Sequence, residues 1–370
     1  MKPSPTARVA IIGCGRVSGH HCRSITETSG AELVAVCDLD LAKAKVYQKQ
    51  FGVKAFTDYR EMFERCPSIN TVAIVTPSGM HFEHALEIIQ KYQKNVIVEK
   101  PTFLRPSQVK TAYDAAEKHG VRIFPVFQNR HNKAVQRVKK GILSGELGGI
   151  RIVSVRVRWC RPKRYYELAP WRGTYAMDGG CLTNQGIHHI DLMRFFGGEV
   201  DRVCAKMGTL GADIEVEDTV VANATFANGA LGSVEVTTAA RPIDFEASLS
   251  VVCEKGLAQI GGIAVNELQI YTPDPAACPI ASEDFSGNVY GHGHQELYKE
   301  IVETYQTGKL FSVSRSDACS TIQLLNAFYV ASDFCAWTDV ATAGDSVRLG
   351  CANEELANLY RTPIAASVTK

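Results

Sequence analysis

The first 130 residues alternate between short apolar runs and longer segments in which apolar positions recur every three or four residues. The first pattern predicts buried strands and the second predicts amphipathic helices. Buried strands that alternate with helices are typical of βαβ units in a parallel sheet, because the crossover helices cover both faces. The predicted strands are residues 8–13, 32–38, 71–76, 95–99 and 121–127, and the predicted helices start near residue 20 and span 41–51, 81–92 and 107–119.

The pattern changes near residue 150. Residues 150–159 alternate apolar and charged side chains, which indicates a strand with one face in water. Further strand-rich stretches follow, and Asn228-Gly229 within one of them is a strong signal for a hairpin turn. We therefore predict an antiparallel sheet here, with two late helices that pack back on the body. The strand-rich stretches are 200–210, 218–238, 245–262 and 266–272, and the late helices are 295–305 and 316–336.

A glycine-rich turn, GCGRVS at residues 13–18, lies between the first predicted strand and the first helix. Gly13 permits a tight turn, and Gly15 lets the backbone approach a pyrophosphate at the helix N-terminus. Ser18 stands where the usual pattern has a third glycine. The turn predicts a Rossmann dinucleotide site, with Gly13, Gly15, Arg16 and Val17 as cofactor-binding residues.

Asp38 ends the second predicted strand. A carboxylate at that position accepts hydrogen bonds from ribose hydroxyls and repels a 2′-phosphate, so the expected cofactor is NAD rather than NADP. The expected fold class combines α/β and α+β. Residues 1–128 would form the NAD-binding Rossmann domain, and residues 129–370 a substrate-binding and oligomerisation domain on a mostly antiparallel open sheet. An open sheet face also predicts a homodimer or homotetramer.

Composition narrows the function classes. Lys+Arg number 40 and Asp+Glu 39, so the chain lacks the basic excess of a nucleic-acid binder. Its 12 cysteines contain no C-x-x-C pair, which argues against a zinc ribbon, and no metal site is expected. Scattered cysteines suit a reduced cytoplasm better than a disulfide framework. No stretch approaches the ~18 apolar residues of a membrane span, so we expect a cytoplasmic protein without a membrane partner.

Two further motifs follow buried strands. They are TPSGMH at residues 76–81 and EKP at residues 99–101. Together with the glycine-rich turn they resemble the Gfo/Idh/MocA family, which includes glucose-fructose oxidoreductase and inositol dehydrogenase, from about residue 7 to 340. The resemblance implies that Lys100 lies at the active site and that the Thr76-Pro77 segment lines the nicotinamide side. The other cofactor-binding residues predicted in this way are Ser78, His81, Glu99, Lys100 and Gln128.

A second set of segments narrows the resemblance, above all WRGT at 171–174 and NQGIH at 184–188. They are similar to the branch of dehydrogenases that oxidise C3 of UDP-N-acetyl-2-amino-2-deoxyglucuronate. The family often has Asp at the position of Asn184, so one possible acid/base carboxylate is missing here. The substrate-binding residues predicted are Lys100, Asn129, Arg161, Tyr166, Trp171, Arg172, Thr174, Asn184, Gln185 and His188.

Oxidation of a secondary alcohol needs a hydride acceptor and a base for the hydroxyl proton. Histidine suits the base role because its pKa lies near working pH. We therefore predict His188 and Lys100 as catalytic, with Asn184 orienting the substrate or His188. His189 is the alternative to His188, and Asp191 is expected to be structural. His292 and His294 precede a helix, where cap, surface and site roles all fit.

A uronate diphosphate requires anion recognition, which arginine provides through its planar fork. Arg158, Arg161, Arg164 and Arg172 crowd one segment with several aromatic residues, and Arg172 with Thr174 is our choice for the carboxylate. The plainer interpretation of the segment is a solvated strand edge.

The predicted function is NAD-dependent oxidation of a sugar hydroxyl, at C3 of UDP-N-acetyl-2-amino-2-deoxyglucuronate, in the synthesis of bacterial surface-polysaccharide sugars. One alternative is a dehydrogenase of another sugar or polyol, such as inositol, an aldose or another nucleotide sugar. Another is a non-catalytic NAD or sugar sensor, which retention of Lys100 and His188 disfavours.

Overall fold

The computed structural model describes residues 6–285 and 290–363. Its first sheet contains six strands: β1 (Ala7–Ile12), β2 (Ala31–Cys37), β3 (Lys54–Phe56), β4 (Thr71–Ile74), β5 (Asn95–Val98) and β6 (Ile123–Pro125). All are parallel, in the order β3-β2-β1-β4-β5-β6. The chain thus starts in the middle and winds outward in both directions. Ligands of such sheets bind outside the carboxyl ends of the strands, where the order reverses between β1 and β4.

Helices cover both faces of this sheet, as the continuous apolar strands require. They are α1 (Ser18–Thr26), α2 (Leu41–Phe51), α3 (Tyr59–Arg65), α4 (His81–Glu87), which continues as a π-helical turn to Tyr92, and α5 (Pro106–His119). Helix α2 has the predicted bounds because both ends carry local signals. The Asp40 side chain caps its first turn and Gly52 ends it in the left-handed region at φ 70°.

Several short elements were not predicted. They are β3, α3 and α6 (Lys133–Leu143), and β6 is shorter than the predicted strand at 121–127. Strand β3 has three residues, which is too few for an alternating pattern to appear. Its position is decided by pairing with β2 rather than by its own side chains.

The second sheet has eight strands: β7 (Ile150–Arg158), β8 (Val200–Gly208), β9 (Thr219–Phe226), β10 (Leu231–Thr237), β11 (Glu246–Cys253), β12 (Leu257–Gly261), β13 (Glu267–Tyr271) and β14 (Thr338–Asp339). Their order is β13-β12-β11-β7-β10-β9-β8-β14. Only the central β7–β10 pair is parallel, so the predicted, mostly antiparallel sheet is confirmed. The Asn228-Gly229 hairpin between β9 and β10 is also confirmed, with Gly229 at φ 86°.

The two faces of the second sheet differ. Residues such as Val155, Val236 and Leu249 point to a core shared with the helices α8 (Gly180–Asn184), α9 (Ile187–Gly197) and α12 (Arg315–Phe334). The opposite face has no covering layer among the described residues. Its apolar side chains are 39–56% exposed: Ile152, Val221, Leu231, Val252 and Ile270.

The remaining helices are α7 (Lys163–Tyr166), α10 (Ala277–Ala281), α11 (Gly293–Thr307) and α13 (Glu354–Asn358). Helix α11 follows strands β7 to β13 of the second sheet in sequence, yet it packs on the first sheet. Its residues Leu297, Tyr298 and Ile301 share a core with Val9 and Ile11 of β1. This confirms that the late helices return to the body of the molecule. Within the described ranges, no helix combines the length and apolar character needed to cross a membrane.

Candidate active site

The glycine-rich turn joins β1 to α1. A Cβ on Gly13 would lie 2.5 Å from the carbonyl oxygen of Val75, and its φ is 95°, so only glycine fits there. Gly15 has open space on the same side, where a ligand could approach the backbone. The first turn of α1 contains no acidic side chain and no side-chain cap, so it suits an anionic group.

Ser18 takes over part of the role of the missing third glycine. It is buried, and its hydroxyl donates to Gly13 O at 2.6 Å, which closes the turn on itself. The predicted contacts of Arg16 and Val17 stay predictions; Arg16 is exposed and Val17 is the N-cap residue of α1.

Asp38 follows β2 and turns its carboxylate toward the glycine-rich turn. Oδ2 accepts from Cys14 N at 2.7 Å and Oδ1 accepts from Asp40 N at 2.9 Å. The side chain is partly exposed, and an ionised carboxylate has lone pairs left after two such bonds. The residue therefore fits the ribose hydroxyls of NAD.

The segment after β4 forms the floor between the two sheets. The His81 ring lies 2.9 Å from both Thr76 O and Pro101 O, so it joins the predicted nicotinamide-side segment to the segment that carries Lys100. Gly79 N donates to Met177 O at 3.0 Å, and a Cβ on Gly79 would lie 2.3 Å from Ala176 O. The two halves of the protein therefore meet by direct backbone contact beside Pro77 and Ser78.

Lys100 follows β5 and reaches across to α8. Its Nζ donates to Asn184 O at 2.5 Å and to Asn184 Oδ1 at 3.0 Å. Burial lowers the pKa of Lys100, although the carboxylates of Glu99 and Asp178 oppose this effect. The structure thus brings together two of the three predicted catalytic residues from segments more than 80 positions apart.

His188 lies on the first turn of α9, facing the same space. Its Nε2 is 3.2 Å from Nε2 of Gln128, which donates to the ring if His188 carries its proton on Nδ1. Burial, with the nearby Lys100 ammonium, holds the pKa of His188 well below its ordinary value. A neutral imidazole in this position is able to accept a proton.

His189, the alternative base, points elsewhere. Its ring packs edge-on against Trp159 with centroids 6.1 Å apart, and neither ring nitrogen has a partner within the described part of the chain. Burial lowers the pKa of His189 to about 4. Its surroundings are those of a core side chain, whereas His188 faces Lys100 and Gln128.

Asp191 has the structural role expected of it, but its partner is not a histidine. It accepts from Arg130 Nε at 2.7 Å and Nη2 at 2.6 Å, and from Thr321 Oγ1 at 3.0 Å. This buried ion pair joins α9 to α12 and to the turn after β6.

Asp178 is a site residue that was not predicted from the sequence. Its buried carboxylate accepts from Gly173 N at 2.8 Å and from the Asn184 side-chain amide. Burial raises the pKa of Asp178. The Asn184 side-chain amide therefore connects Lys100 to the Asp178 carboxylate, because its oxygen accepts from the lysine and its nitrogen donates to the carboxylate. The adjoining Gly179-Gly180, both with positive φ, was the available signal for a special backbone position.

The Glu99 carboxylate accepts hydrogen bonds from two side chains that are distant in sequence. Its Oε1 accepts from His21 at 2.9 Å and from His294 at 3.2 Å, and its Oε2 accepts from Lys100 N at 2.9 Å. His21 was not predicted, and no local pattern marks it. His292 only occupies the N-cap position of α11. In the described ranges, the His21–Glu99–His294 group is the one with the composition of a metal site, its ligand atoms within 4.8 Å of one another.

The predicted substrate side is an arginine–aromatic cluster. Arg172 donates to Tyr165 OH at 2.5 Å, and its guanidinium lies 4.4 Å from the Tyr165 ring and 4.6 Å from the Trp171 ring. Arg161 lies 5.5 Å from the same tyrosine ring and pairs with Asp244 at 2.8 Å. Gln185 donates to Tyr165 OH at 3.2 Å, which connects this cluster to α8.

Other members of the segment separate from it. Arg158 pairs with Glu235 and Glu246 of the neighbouring strands β10 and β11, so this arginine lies on the solvated face of the central strand β7 rather than at a strand edge. Thr174 Oγ1 donates to Trp171 O at 2.7 Å, and Tyr166 OH lies 3.0 Å from Thr238 Oγ1. Asn129 is half-buried after β6. An open groove of about 740 Å³ borders the cluster, lined by Cys160, Arg161, Pro162, Lys163, Arg164, Arg241, Pro242, Ile243 and Asp244.

Comparison with known proteins follows the division between the two sheets. A model described as "Oxidoreductase family, NAD-binding Rossmann fold" matches residues 7–127, and one described as "GFO/IDH/MocA C-terminal domain" matches residues 135–259. Among curated proteins, glucose-6-phosphate 3-dehydrogenase of Bacillus subtilis is 30% identical over 207 residues, 55% of this chain and 58% of that protein.

Two solved structures extend the likeness over most of the chain. The WlbA dehydrogenase of Bordetella pertussis, in complex with NADH and UDP-GlcNAcA, is 33% identical with a TM-score of 0.84, covering 90% of this chain and 97% of that chain. The WlbA dehydrogenase of Chromobacterium violaceum, with the same two ligands, is 31% identical with a TM-score of 0.83, covering 91% and 96%.

These matches confirm NAD as the cofactor and an NAD-dependent sugar dehydrogenase as the class of enzyme. They give no support to the sensor alternative. Both predicted motif sets lie within the matched regions, and the resemblance noted in the sequence is confirmed. The chain belongs to the Gfo/Idh/MocA family of oxidoreductases.

Proposed function

We propose that this enzyme oxidises the C3 hydroxyl of UDP-N-acetyl-2-amino-2-deoxyglucuronate (UDP-GlcNAcA), in the synthesis of bacterial surface-polysaccharide sugars. The observation that carries the proposal is the arrangement of two kinds of group around one space. Lys100 and a neutral His188 stand on one side, and the arginine–aromatic cluster of Arg161, Arg172 and Tyr165 stands on the other. The likeness to two dehydrogenases solved with UDP-GlcNAcA supports the same substrate.

The acid–base groups have distinct roles in this proposal. His188, held neutral, receives the proton of the substrate hydroxyl. Lys100 donates a hydrogen bond to the oxygen as negative charge develops on it. Asn184, with its amide nitrogen on Asp178, keeps its carbonyl oxygen on the lysine and so fixes the direction of Nζ. NAD supplies the hydride acceptor when it is bound.

The arginines have the anion-binding role. The Arg172 guanidinium lies within 4.6 Å of two aromatic rings, those of Tyr165 and Trp171, and these contacts restrict its position. A fixed planar fork recognises a carboxylate with two parallel hydrogen bonds. We assign the uronate carboxylate to Arg172, and the diphosphate to the groove beside Arg161.

The proposed division of labour assigns cofactor binding to residues 1–128 and substrate binding and oligomerisation to residues 129–370. Helix α11 belongs to the second range but packs on the first sheet, and it brings His294 to Glu99. The buried contacts of Glu99 in the first half therefore depend on His294, a side chain from α11 in the second range.

The test is a substrate panel with NAD, followed through the near-ultraviolet absorbance of NADH. UDP-GlcNAcA and UDP-N-acetylglucosamine form a matched pair. They differ only at C6, which is a carboxylate in the first and a hydroxymethyl group in the second. We expect turnover with the uronate and ~10-fold or greater loss of kcat/KM without its carboxylate, because the half-buried Arg172 fork would lose its partner. Glucose 6-phosphate and myo-inositol represent the alternatives.

Arg172→Lys sharpens the test. A lysine keeps the charge but loses the stacked fork, so KM for the uronate should rise while the NAD affinity stays unchanged. Arg158→Lys, at the end of the central strand β7, is the matched control and should have neither effect. Turnover of glucose 6-phosphate or inositol, with none of the uronate, would contradict the proposed substrate and leave the enzyme class intact.

A further inference from the structure

Three side chains from three separate elements meet below Lys100. Glu99 comes from the end of β5, His21 from α1 and His294 from the first turn of α11. All three are nearly or fully buried, at 5%, 0% and 2% exposure. We refer to Glu99, His21 and His294 as the His–Glu–His cluster. It forms no part of the acid–base roles assigned above.

The hydrogen bonds of the cluster specify its charge. Tyr298 OH lies 2.8 Å from His21 Nδ1, and if it donates there, His21 Nε2–H is left to donate to Glu99. Burial lowers the pKa of His294, so this ring is neutral and donates through Nε2. Burial alone would raise the pKa of Glu99, but the two histidine hydrogen bonds hold it well below its usual range. In this arrangement, with Tyr298 OH donating to His21, both rings are neutral and the cluster carries the single negative charge of Glu99.

The position of that charge follows from the fold. The adenosine side of the dinucleotide belongs to Asp38 after β2, and its pyrophosphate to the N-terminus of α1. The nicotinamide therefore belongs on the other side of the sheet centre, over the ends of β4 and β5. Glu99 directly follows β5, and its Oε2 accepts from Lys100 N. Gln128 lies on the other side of His294. A Cβ on the neighbouring Gly293 would lie 2.4 Å from Gln128 O, so the two backbones are in close contact.

We propose that the His–Glu–His cluster sets the redox poise of the bound cofactor: its buried negative charge stabilises NAD⁺ relative to NADH. The oxidised nicotinamide ring carries a positive charge that the reduced ring lacks. A fixed anion in a poorly solvated site acts on this difference more strongly than it would in water. The proposal concerns the cofactor alone and does not depend on the identity of the sugar.

The experiment measures the dissociation constants of NAD⁺ and NADH separately, by calorimetry and by nucleotide fluorescence. In Glu99→Gln the charge is removed and the shape is kept. We expect the ratio Kd(NAD⁺)/Kd(NADH) to rise by ~10-fold. A tenfold change in this ratio corresponds to about 30 mV in the two-electron reduction potential of the bound cofactor.

Two variants serve as controls and one as an independent route. Glu99→Asp and His294→Gln keep the negative charge, and both should leave the ratio near its wild-type value. His294→Lys adds a positive charge beside Glu99 and should raise the ratio as Glu99→Gln does, so the test survives a failure of either variant to fold. Glu217→Gln changes a buried carboxyl group of the second half whose pKa is raised to about 8 by burial, so no charge is lost at neutral pH and the ratio should stay unchanged.

Three outcomes would overturn the proposal. In the first, Glu99→Gln and His294→Lys leave the ratio unchanged. In the second, they weaken both cofactor forms equally, which shows a purely structural role. In the third, metal analysis of the purified protein finds one equivalent of zinc that chelators remove together with the ratio effect, since a bound dication would make the cluster positive.

Discussion

The two sheets contribute to the site in different ways. The first is covered by helices on both faces, and it offers only the carboxyl ends of its strands, which carry Gly13, Asp38 and Lys100. The second is covered on one face. It contributes through helices on that face, which carry Asn184 and His188, and through the loop after β7. The first half therefore offers ligands its backbone groups and strand ends. The second half offers them side chains on the helices and loop that cover its sheet.

This difference separates cofactor binding, which we expect to stay constant, from substrate binding, which we expect to vary. The strand ends of the first sheet are placed by its own hydrogen bonds, so the cofactor geometry is insensitive to what lies above it. The layer over the second sheet is held by side-chain packing, so a change of loop changes the substrate without changing the fold. The proposed acid–base pair belongs to neither half alone, because Lys100 bonds to Asn184 and Gln128 to His188 across the junction.

The largest effect should come from breaking this junction. We expect Lys100→Ala and His188→Ala each to lower kcat by ~10²–10⁴-fold, the usual contribution of general acid–base catalysis. NAD affinity should survive, because the residues predicted to bind the cofactor, such as Gly13 and Asp38, lie elsewhere. Steady-state kinetics and calorimetry separate the two quantities. If both groups act on one proton, the double variant should lose much less than the product of the single losses.

His189→Ala is the control for that prediction. Its ring has no hydrogen bond within the described part of the chain, so it should lower stability rather than kcat. Loss of turnover in His189→Ala with retention in His188→Ala would shift our catalytic assignment by one residue.

Next in size is the pH dependence of stability in the second half. Glu217 Oε1 accepts from Leu182 N at 3.1 Å and from Tyr329 OH at 2.9 Å, but Oε2 has no partner. Burial raises the pKa of Glu217 to about 8. The proton bound in the folded state then stabilises the protein at low pH, and this contribution is lost as pH rises through about 8.

Glu217→Gln should remove this dependence. In denaturant unfolding, we expect the wild type to lose more stability than the variant between about pH 5 and pH 9, by roughly 1–3 kcal/mol. Parallel curves for the two proteins would show that Glu217 keeps its charge in the fold. Glu99, which has two histidine donors where Glu217 has none, should show no such loss in this range.

A smaller effect sharpens the cofactor half of the comparison. Asp38→Ala should narrow the preference for NAD over NADP by ~10-fold or more, because the variant no longer repels a 2′-phosphate. Titration with both dinucleotides measures it. Asp40→Ala removes an exposed carboxylate two positions away that caps α2, and it should cost helix stability without changing cofactor choice. Equal affinity of the wild type for both cofactors would contradict the role of Asp38.

The smallest effect concerns the uncovered face of the second sheet. Leu231, Ile152 and Val252 form a row across β10, β7 and β11, each at least 39% exposed. We expect a second copy to cover this row in a dimer or tetramer. Ile152→Glu should then weaken association by at least ~10-fold, measured by light scattering over a dilution series. A wild type that is monomeric at micromolar concentration would refute the expectation.

The cofactor half could be predicted because its signals are local. Gly13, at φ 95°, lies in a glycine-rich turn directly after an apolar run, and Asp38 directly follows another. Both patterns can be recognised within a few residues of sequence. The substrate half could be recognised only by resemblance. The contacts Lys100–Asn184, Asp178–Asn184 and Glu99–His21 join segments whose approach is decided by packing of the whole chain. The short elements β3 and α3 were missed for the same reason, since each is stabilised mainly by its neighbours.

Helix α11 also has a consequence for how the protein is made. The ribosome finishes β6 long before it reaches Leu297, Tyr298 and Ile301, which complete one face of the first sheet. At ordinary rates of translation the gap lasts roughly 10–30 s. During that time an apolar sheet face stays exposed on the nascent chain, next to a dinucleotide site that still lacks His294. Chaperones that bind this face during the interval would then protect the nascent chain from aggregation.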